Sequence, residues 1–439
     1  MKTNALILLA VLLLTANTSC EQHREVPGKP DQPNILLILA DDVGREVLGS
    51  YGGSSYSTPN LDRLARTGLR FEHAYSMPVC HPSRVCLMTG RYPFRLGHPV
   101  WGTFPEQWEE RTLPQMLKRT GYATAIAGKW QLTLLREDPE HPVRLGFDQY
   151  CLFGWHEGPR YYEPLIWENG RVRGDVRDQY GPDVYVRFLT EFMERHQSGP
   201  FFAFYSMALC HDVTDDLEAP VPFGPRGRYD SYSEMVEAMD QRIGSLAGAL
   251  DRLGLREKTL ILFTTDNGTP KRSIITAQGG NLVREPVSSR MGDRTIRGGK
   301  GDLTDAGTRV PTIANWTRTL SPGQSTEALV DFSDLLPTLA ELGGAEVPPG
   351  ETLDGTSFAP LLRGGPGEGR DWVFAEHRGR SWVRTRDWKL YRDGRFFHMA
   401  DDPDETQAVA SDQEPAVRGR LQTALDTLFE TRPSAVAGD

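Results

Sequence analysis

Cysteine is scarce in this chain, with five residues in 439, and no two of them form a Cys-x-x-Cys pair. Four of these, Cys80, Cys86, Cys151 and Cys210, lie beyond residue 20, and none has a histidine at zinc-ligand spacing. That argues against a structural zinc site. The four are also too scattered for a disulfide scaffold, although individual pairings stay open. Basic residues are in deficit: 49 Lys and Arg against 59 Asp and Glu give a formal net charge of -10. A nucleic acid or an anionic membrane needs a broad cationic face, so neither is an expected partner, and any anion site must be local. Internal repeats and low-complexity blocks are missing as well. What remains, with 38% hydrophobic and 25% charged residues, has the composition of an ordinary globular protein long enough for one large domain and a smaller one.

The first residues carry an address. Lys2 supplies a positive start, and the apolar run Ala5 to Leu14 is too short to span a bilayer as a helix. Small and polar residues follow from Thr15 to Cys20. Residues 1–19 therefore read as an export signal. Ending at Cys20, the segment resembles a bacterial lipoprotein signal, which implies a lipid anchor on Cys20; a plain cleaved signal is the alternative. Residues 20–32, polar and carrying Pro27 and Pro30, suit a tether. The expected destination is outside the cytoplasm, in the periplasm or on the outer membrane or cell surface.

Three apolar runs of strand length, Asn34 to Ala40, Phe201 to Met207 and Thr259 to Thr265, read as strands covered on both faces. Between them, apolar residues recur near the helical period in Asn60 to Thr67, Leu113 to Thr120, Tyr180 to His196 and Tyr232 to Leu253. The alternation predicts an α/β fold with a large, mainly parallel or mixed sheet flanked by helices, spanning 33–365. Residues 366–439 change character. Short aromatic segments broken by Gly379 and Gly394, then a helical stretch from Glu414 to Thr431, predict a small antiparallel sheet plus a terminal helix.

Chemistry shows at the strand ends. The first run passes directly into Asp41 and Asp42, and the third into Asp266 and Asn267. Ligand sites in such folds lie at the carboxyl ends of strands, so an oxygen-rich site for a hard cation is expected there. Either motif alone would more often be a turn. A second element is Cys80-His81-Pro82-Ser83-Arg84, with Thr89-Gly90 after it. Pro82 suits a first helical turn and Gly90 a helix end, placing Cys80 just before a helix N-terminus, where backbone N–H groups and Arg84 favour an anion.

Cys80-x-Pro82-Ser83-Arg84-x-x-x-x-Thr89-Gly90 resembles the type I sulfatase signature, whose cysteine is oxidised by a separate enzyme to Cα-formylglycine. The resemblance runs through Asp41-Asp42, Tyr51-Gly52 to Leu64, Gly128-Lys129-Trp130, Thr265-Asp266-Asn267-Gly268, and Gly298-Gly299-Lys300-Gly301 to Arg309-Val310-Pro311, in the family's order. It implies an alkaline phosphatase-like fold and one calcium ion, in preference to magnesium, held by Asp41, Asp42, Asp266 and Asn267 with the modified Cys80. Further roles carried over are Arg84 steadying the aldehyde hydrate, Lys129 and Lys300 clamping sulfate, and His211 protonating the leaving alcohol. A formylglycine-generating or anaerobic sulfatase-maturating enzyme is an implied partner.

One position departs from the family. After Gly128-Lys129-Trp130 the family has a histidine, and this chain has Gln131, which cannot serve as a base at neutral pH. The expected function is hydrolysis of sulfate esters, on carbohydrates. The alternatives are a phosphodiesterase or phosphonate monoester hydrolase of the same superfamily, and a degenerate glycan-binding pseudo-sulfatase; Lys129 and Lys300 favour sulfate. His73, His81, His98, His156 and His377 are weaker candidates. Trp101, Trp108 and Trp155 are candidate sugar platforms, and the arginines between Arg272 and Arg297 are read as a solvated loop, with contact to an anionic polysaccharide as the alternative.

Overall fold

The computed structural model describes residues 32–154, 157–212, 229, 231–278, 281–347, 351–367 and 369–430. The expected export signal and all but the last residue of the tether lie outside them. No helix among the described residues is long and apolar enough to cross a membrane.

A ten-stranded mixed sheet is the frame. Its strands are β1 (Asn34–Ala40), β2 (Leu69–Tyr75), β3 (Ala123–Trp130), β4 (Gln149–Gly154), the short β5 (Trp167–Glu168) and β6 (Arg171–Val172), β7 (Phe201–Ser206) and β8 (Thr259–Thr265). Two separate ribbons follow, β9 (Arg272–Gln278) with β10 (Asn281–Pro286), and β11 (Ser288–Met291) with β12 (Arg294–Arg297); β13 (Thr312–Asn315) and β14 (Gln324–Asp331) then rejoin the main sheet. The order is β14-β2-β13-β8-β1-β7-β3-β4-β5-β6. From β8 to β4 all pairings are parallel, while β13 runs antiparallel to both neighbours. The stretch from Arg272 to Arg297 is thus two antiparallel ribbons rather than a loop. Gly292, at φ 58°, opens the tight turn that pairs Met291 with Arg294.

All seven residues of β1 are buried, because helices cover both faces. Strand periodicity sends Ile35, Leu37 and Leu39 into one apolar cluster and Leu36, Ile38 and Ala40 into the other. The first cluster takes its helical side from Cys80–Thr89 and Leu113–Arg119, the second from Gly181–Arg195 and Tyr232–Arg252. These helices match the predicted stretches to within a residue or two, as does Pro59–Arg66. Tyr232–Arg252 starts where Ser231 accepts a hydrogen bond from Glu234 N, the usual means of satisfying an orphan N–H.

The C-terminal sheet is antiparallel: β15 (Val373–His377), β16 (Arg380–Arg384), β17 (Trp388–Tyr391) and β18 (Phe396–His398). Helix Pro415–Glu430 follows, burying Leu421, Leu425 and Leu428 at spacings of four and three. This sheet shares the first apolar cluster with the main one, and Arg384 ties it to Asp305 at 2.7 Å. Cys80, Cys86, Cys151 and Cys210 are all buried free thiols.

Candidate active site

Parallel register brings the acids together. Ala40 lies opposite Thr265, so Asp41-Asp42 and Asp266-Asn267 leave adjacent strands at the same level. Asp42 makes the turn with a φ of 61°, a left-handed conformation that costs a non-glycine residue energy and often marks a functional position. Next along the sheet, β7 runs on to His211, and beyond it β3 carries Lys129 as its penultimate residue. At Gly128 (φ 105°), an added Cβ would stand 2.0 Å from the carbonyl oxygen of Ser206. Only glycine lets the two strands approach closely enough to place Lys129 here.

Cys80 is the first residue of its helix, with Val79 as the N-cap and Gly90, at φ 65°, as the C-cap. Its position is one residue inside the helix rather than before it. Ser83 Oγ fastens the helix to the site by donating to Asp266 O at 2.6 Å. Arg84 acts as a strut: Nε and Nη2 donate to Asp266 Oδ2 at 3.0 and 2.6 Å, and Nη1 donates to Ser206 Oγ at 2.5 Å. It therefore spans β8 and β7, and lies 3.7 Å from Asp41.

The Cys80 Sγ stands 3.3 Å from Asp41 Oδ1 and 4.0 Å from Asp42 Oδ1. Ligand atoms of Asp41, Asp42, Cys80 and Asp266 all lie within 4.8 Å of one another, and all four residues are buried. Lys129 Nζ contacts Asp41 Oδ2; Lys300 Nζ lies 2.6 Å from Asp42 Oδ1.

These neighbours set the charge states. Burial works against ionisation of Asp41, but Lys129 and the other cations around it hold its carboxyl below the usual carboxylate range. Burial and the adjoining Asp41 and Asp266 carboxylates raise Asp42 to about 7, against the pull of Lys300. Asp266 is raised by burial and by Asp41. Burial, then Asp266 and Asp41, push the Cys80 thiol up, so the unmodified side chain is a neutral thiol.

The donor set fits a hard divalent cation. Asp41, Asp42 and Asp266 bring carboxylate oxygens together, and Asn267 Oδ1 is buried with no hydrogen-bond partner. Asn267 Nδ2 donates to Asp42 Oδ1 at 2.8 Å and to Gly268 O at 2.9 Å, which fixes the amide and leaves its oxygen as a spare ligand.

His211 Nδ1 lies 2.8 Å from Asp212 O. A carbonyl only accepts, so Nδ1 carries the proton and Nε2, 3.8 Å from Asp42 Oδ2, is bare. Burial, with Lys300 and Lys129, holds the ring well below its ordinary pKa and neutral. Sequence reasoning missed three neighbours that hold this region. Arg160, buried, donates through Nη1 to Asp212 O at 3.4 Å, the same carbonyl that meets His211 Nδ1. Tyr161 OH donates to Ala208 O at 2.9 Å, and Tyr232 OH to Asp42 O at 2.7 Å. Arg160 and Tyr161 lie in a loop and Tyr232 at the start of a helix, so no local pattern marks them.

Above Cys80 opens a cavity of about 800 Å³ whose lining includes His81, Trp101, Gln131, His211 and Lys300. Gln131 is buried, and its Oε1 has no partner. Trp101 stands on the rim at 39% exposure. Trp108 does not line this cavity; it packs between Arg91 and Arg111, whose guanidinium carbons lie 4.1 and 5.0 Å from the indole centroid. Burial lowers His81 to about 4 and a ring nitrogen bonds Thr103 O at 2.9 Å, whereas His73 faces Glu327 at 3.0 Å. Trp155 and His156 lie outside the described residues.

A mixed sheet presenting an acid and thiol cluster at its strand ends defines a hydrolase of the alkaline phosphatase-like fold class. The family model described as Sulfatase matches residues 33–345, and the chain belongs to that family: it is a sulfuric ester hydrolase. Steryl-sulfatase of Mus musculus is 32% identical over 447 residues, covering 82% of this chain and 70% of that one. Arylsulfatase A of Bos taurus is 34% identical over 366 residues, covering 76% and 68%. The crystal structure of Ps i-CgsB in complex with k-i-k-neocarrahexaose superimposes with a TM-score of 0.73 at 26% identity, covering 92% of this chain and 94% of that one.

Proposed function

We propose that this sulfatase removes sulfate from carbohydrates outside the cytoplasm, with Cys80 converted to Cα-formylglycine and one calcium ion beside it. The observation that carries the reading is the Cys80 side chain, 3.3 Å from Asp41 at the floor of a cavity large enough for a disaccharide. Support for a carbohydrate comes from Ps i-CgsB, whose complex holds a neocarrahexaose.

Asp41, Asp42, Asp266 and Asn267 would hold the calcium, with the modified residue 80 completing the set. Calcium bound there would make a neighbouring hydroxyl more acidic and offset the charge of the arriving sulfate. An aldehyde hydrate at position 80 would supply one hydroxyl to attack sulfur, with loss of its proton and cleavage of the bond between sulfur and the alcohol oxygen, and a second whose collapse to the carbonyl, with loss of its proton to water, would expel sulfate. Arg84, braced on Asp266 and Ser206, keeps the helix start in register with the acids. Lys300, on the cavity lining, and Lys129, in contact with Asp41, would bind the sulfate oxygens as charge shifts onto them. His211, which lines the cavity, would protonate the departing alcohol once Nε2 has taken a proton from solvent.

An export signal at 1–19, a lipid anchor at Cys20 and a formylglycine-generating or anaerobic maturating enzyme complete the proposal. The test is peptide mass spectrometry of residue 80 after co-expression with a maturating enzyme, together with sulfate release from sulfated sugars in calcium. Conversion plus release that Cys80→Ala abolishes is expected. Conversion without release from sugars, with turnover of phosphodiesters or phosphonates or of nothing, would overturn it. The last of these outcomes is the binding-only reading that Gln131 favours.

A further inference from the structure

The rim of the cavity over Cys80 carries cationic chemistry that sulfate transfer at its floor does not use. Two non-glycine residues there have left-handed backbones. On the β15–β16 hairpin, His377 pairs with Arg380, so Arg378 and Gly379 form a two-residue loop with φ of 50° and 75°. Such loops take Asn, Asp or Gly at the first central position, because other side chains crowd the backbone at positive φ. Arginine gains nothing local from that position. The second residue is His98, at φ 53° after Gly97 at 77°. Both Arg378 and His98 line the cavity, and strain of this kind concentrates where side-chain placement matters for function.

Glu376 joins the two segments. Its Oε1 accepts from Phe94 N at 2.7 Å, its Oε2 lies 3.8 Å from His98 Nδ1, and it precedes Arg378 by two residues on β15. It is the only carboxylate among the described lining residues, and it is buried and already engaged. Beside it stand Lys300 and Arg378, with the imidazoles of His98 and His377. Arg378 therefore brings a permanent positive charge to the mouth, suited to an anion beyond the sulfate at the floor. Trp101 on the same rim offers a flat face for a sugar ring.

Resting on the carbohydrate sulfatase reading, we propose that Arg378 and His98 form a second anion position in the substrate cavity, selecting sugars that carry a carboxylate or a further sulfate near the scissile one. The guanidinium fork matches either group in a bidentate fashion. Glu376 acts as a positioning residue that holds the His98 ring towards the cavity.

The test compares matured wild type, Arg378→Ala, Arg378→Lys and His98→Ala on three saccharides. These are a monosulfated disaccharide containing a uronic acid, its carboxyl-reduced counterpart, and the reduced disaccharide bearing a second sulfate. Wild type is expected to favour an anionic form, and the ratio of kcat/KM for anionic over reduced substrate should fall about 10- to 100-fold in Arg378→Ala, mainly through KM. Arg378→Lys should retain part of that preference. The form that loses its advantage identifies the anion as carboxylate or sulfate. Absence of any preference in wild type, or a ratio unchanged in both alanine variants, overturns the proposal. Calorimetric titration of Cys80→Ala with the same saccharides separates the two readings. Anion-dependent binding that Arg378→Ala removes, in an enzyme that releases no sulfate, would sink the catalytic reading and keep the subsite. Turnover without anion dependence would do the reverse.

Discussion

Lys389 Nζ donates to the carbonyl oxygen of Leu303 at 2.7 Å, so the C-terminal sheet grips the loop that carries Lys300. The same oxygen accepts from Trp382 Nε1 at 2.7 Å and Tyr391 OH at 3.1 Å. The lysine is fully buried and pairs with Glu405 at 2.7 Å.

That relationship predicts how Lys389→Met behaves. Removing one member of a buried pair leaves an uncompensated carboxylate, at a cost of about 3–5 kcal/mol. The variant should melt well below wild type and lose sulfatase activity. Adding Glu405→Gln should restore much of the melting temperature, because it removes the stranded charge. Thermal denaturation of the three proteins checks this, and no recovery in the double variant would mean that the stranded carboxylate is not what destabilises Lys389→Met.

Calcium should stabilise the fold. A ligand at about 100 times its dissociation constant adds about 2.7 kcal/mol, so the melting temperature should rise with calcium and fall on chelation. Asn267→Ala removes the spare oxygen donor and should shrink that calcium-dependent shift. An Asn267→Ala protein with the full shift would show that the amide is no ligand.

Gln131 separates stability from catalysis. Its unpartnered Oε1 costs folding energy, so Gln131→Leu, of similar shape, should keep or raise stability by about 1 kcal/mol. If the carboxamide serves a group on the substrate or the modified residue 80, kcat should fall by about tenfold or more. Unfolding curves and steady-state kinetics of one variant check both halves, and unchanged kcat would make Gln131 a packing residue.

Acid should weaken the fold through His141. Burial lowers its pKa from 6.5 to about 3, with Arg144 adding to the effect. Glu109 stands 3.5 Å from its Nε2, but Arg144 holds that carboxylate at 2.8 Å and offsets its pull, so burial decides. Between these pKa values the unfolded imidazole binds a proton that the folded one refuses. Stability is therefore full above about pH 6.5 and is lost as pH falls towards 3, by about 1.4 kcal/mol at about pH 5.5. In His141→Gln the fall in melting temperature from neutral to mildly acid pH should be shallower.

The sheet and the acid and thiol cluster at its strand ends were legible because their signals are local. Continuous apolar runs such as NILLILA mark strands covered on both faces, and the cysteine signature and the two acid pairs are short contiguous motifs whose meaning depends on little else. The β11–β12 ribbon escaped because its four-residue strands are polar and barely periodic. The rim of the cavity escaped for a different reason. His98, Glu376 and Arg378 are far apart in sequence, and no spacing rule connects them. Trp101 and Trp108 look equivalent as letters, yet one faces the cavity and the other is packed between two arginines.

By itself, the sequence determined the α/β class, the family and the identity of the groups at the floor of the site, since periodicity and short motifs survive without coordinates. Only the tertiary structure decided which oxygens are left without partners, which way each carboxyl titrates and which distant residues share the cavity rim. Those properties depend on distance and burial, which chain order does not encode.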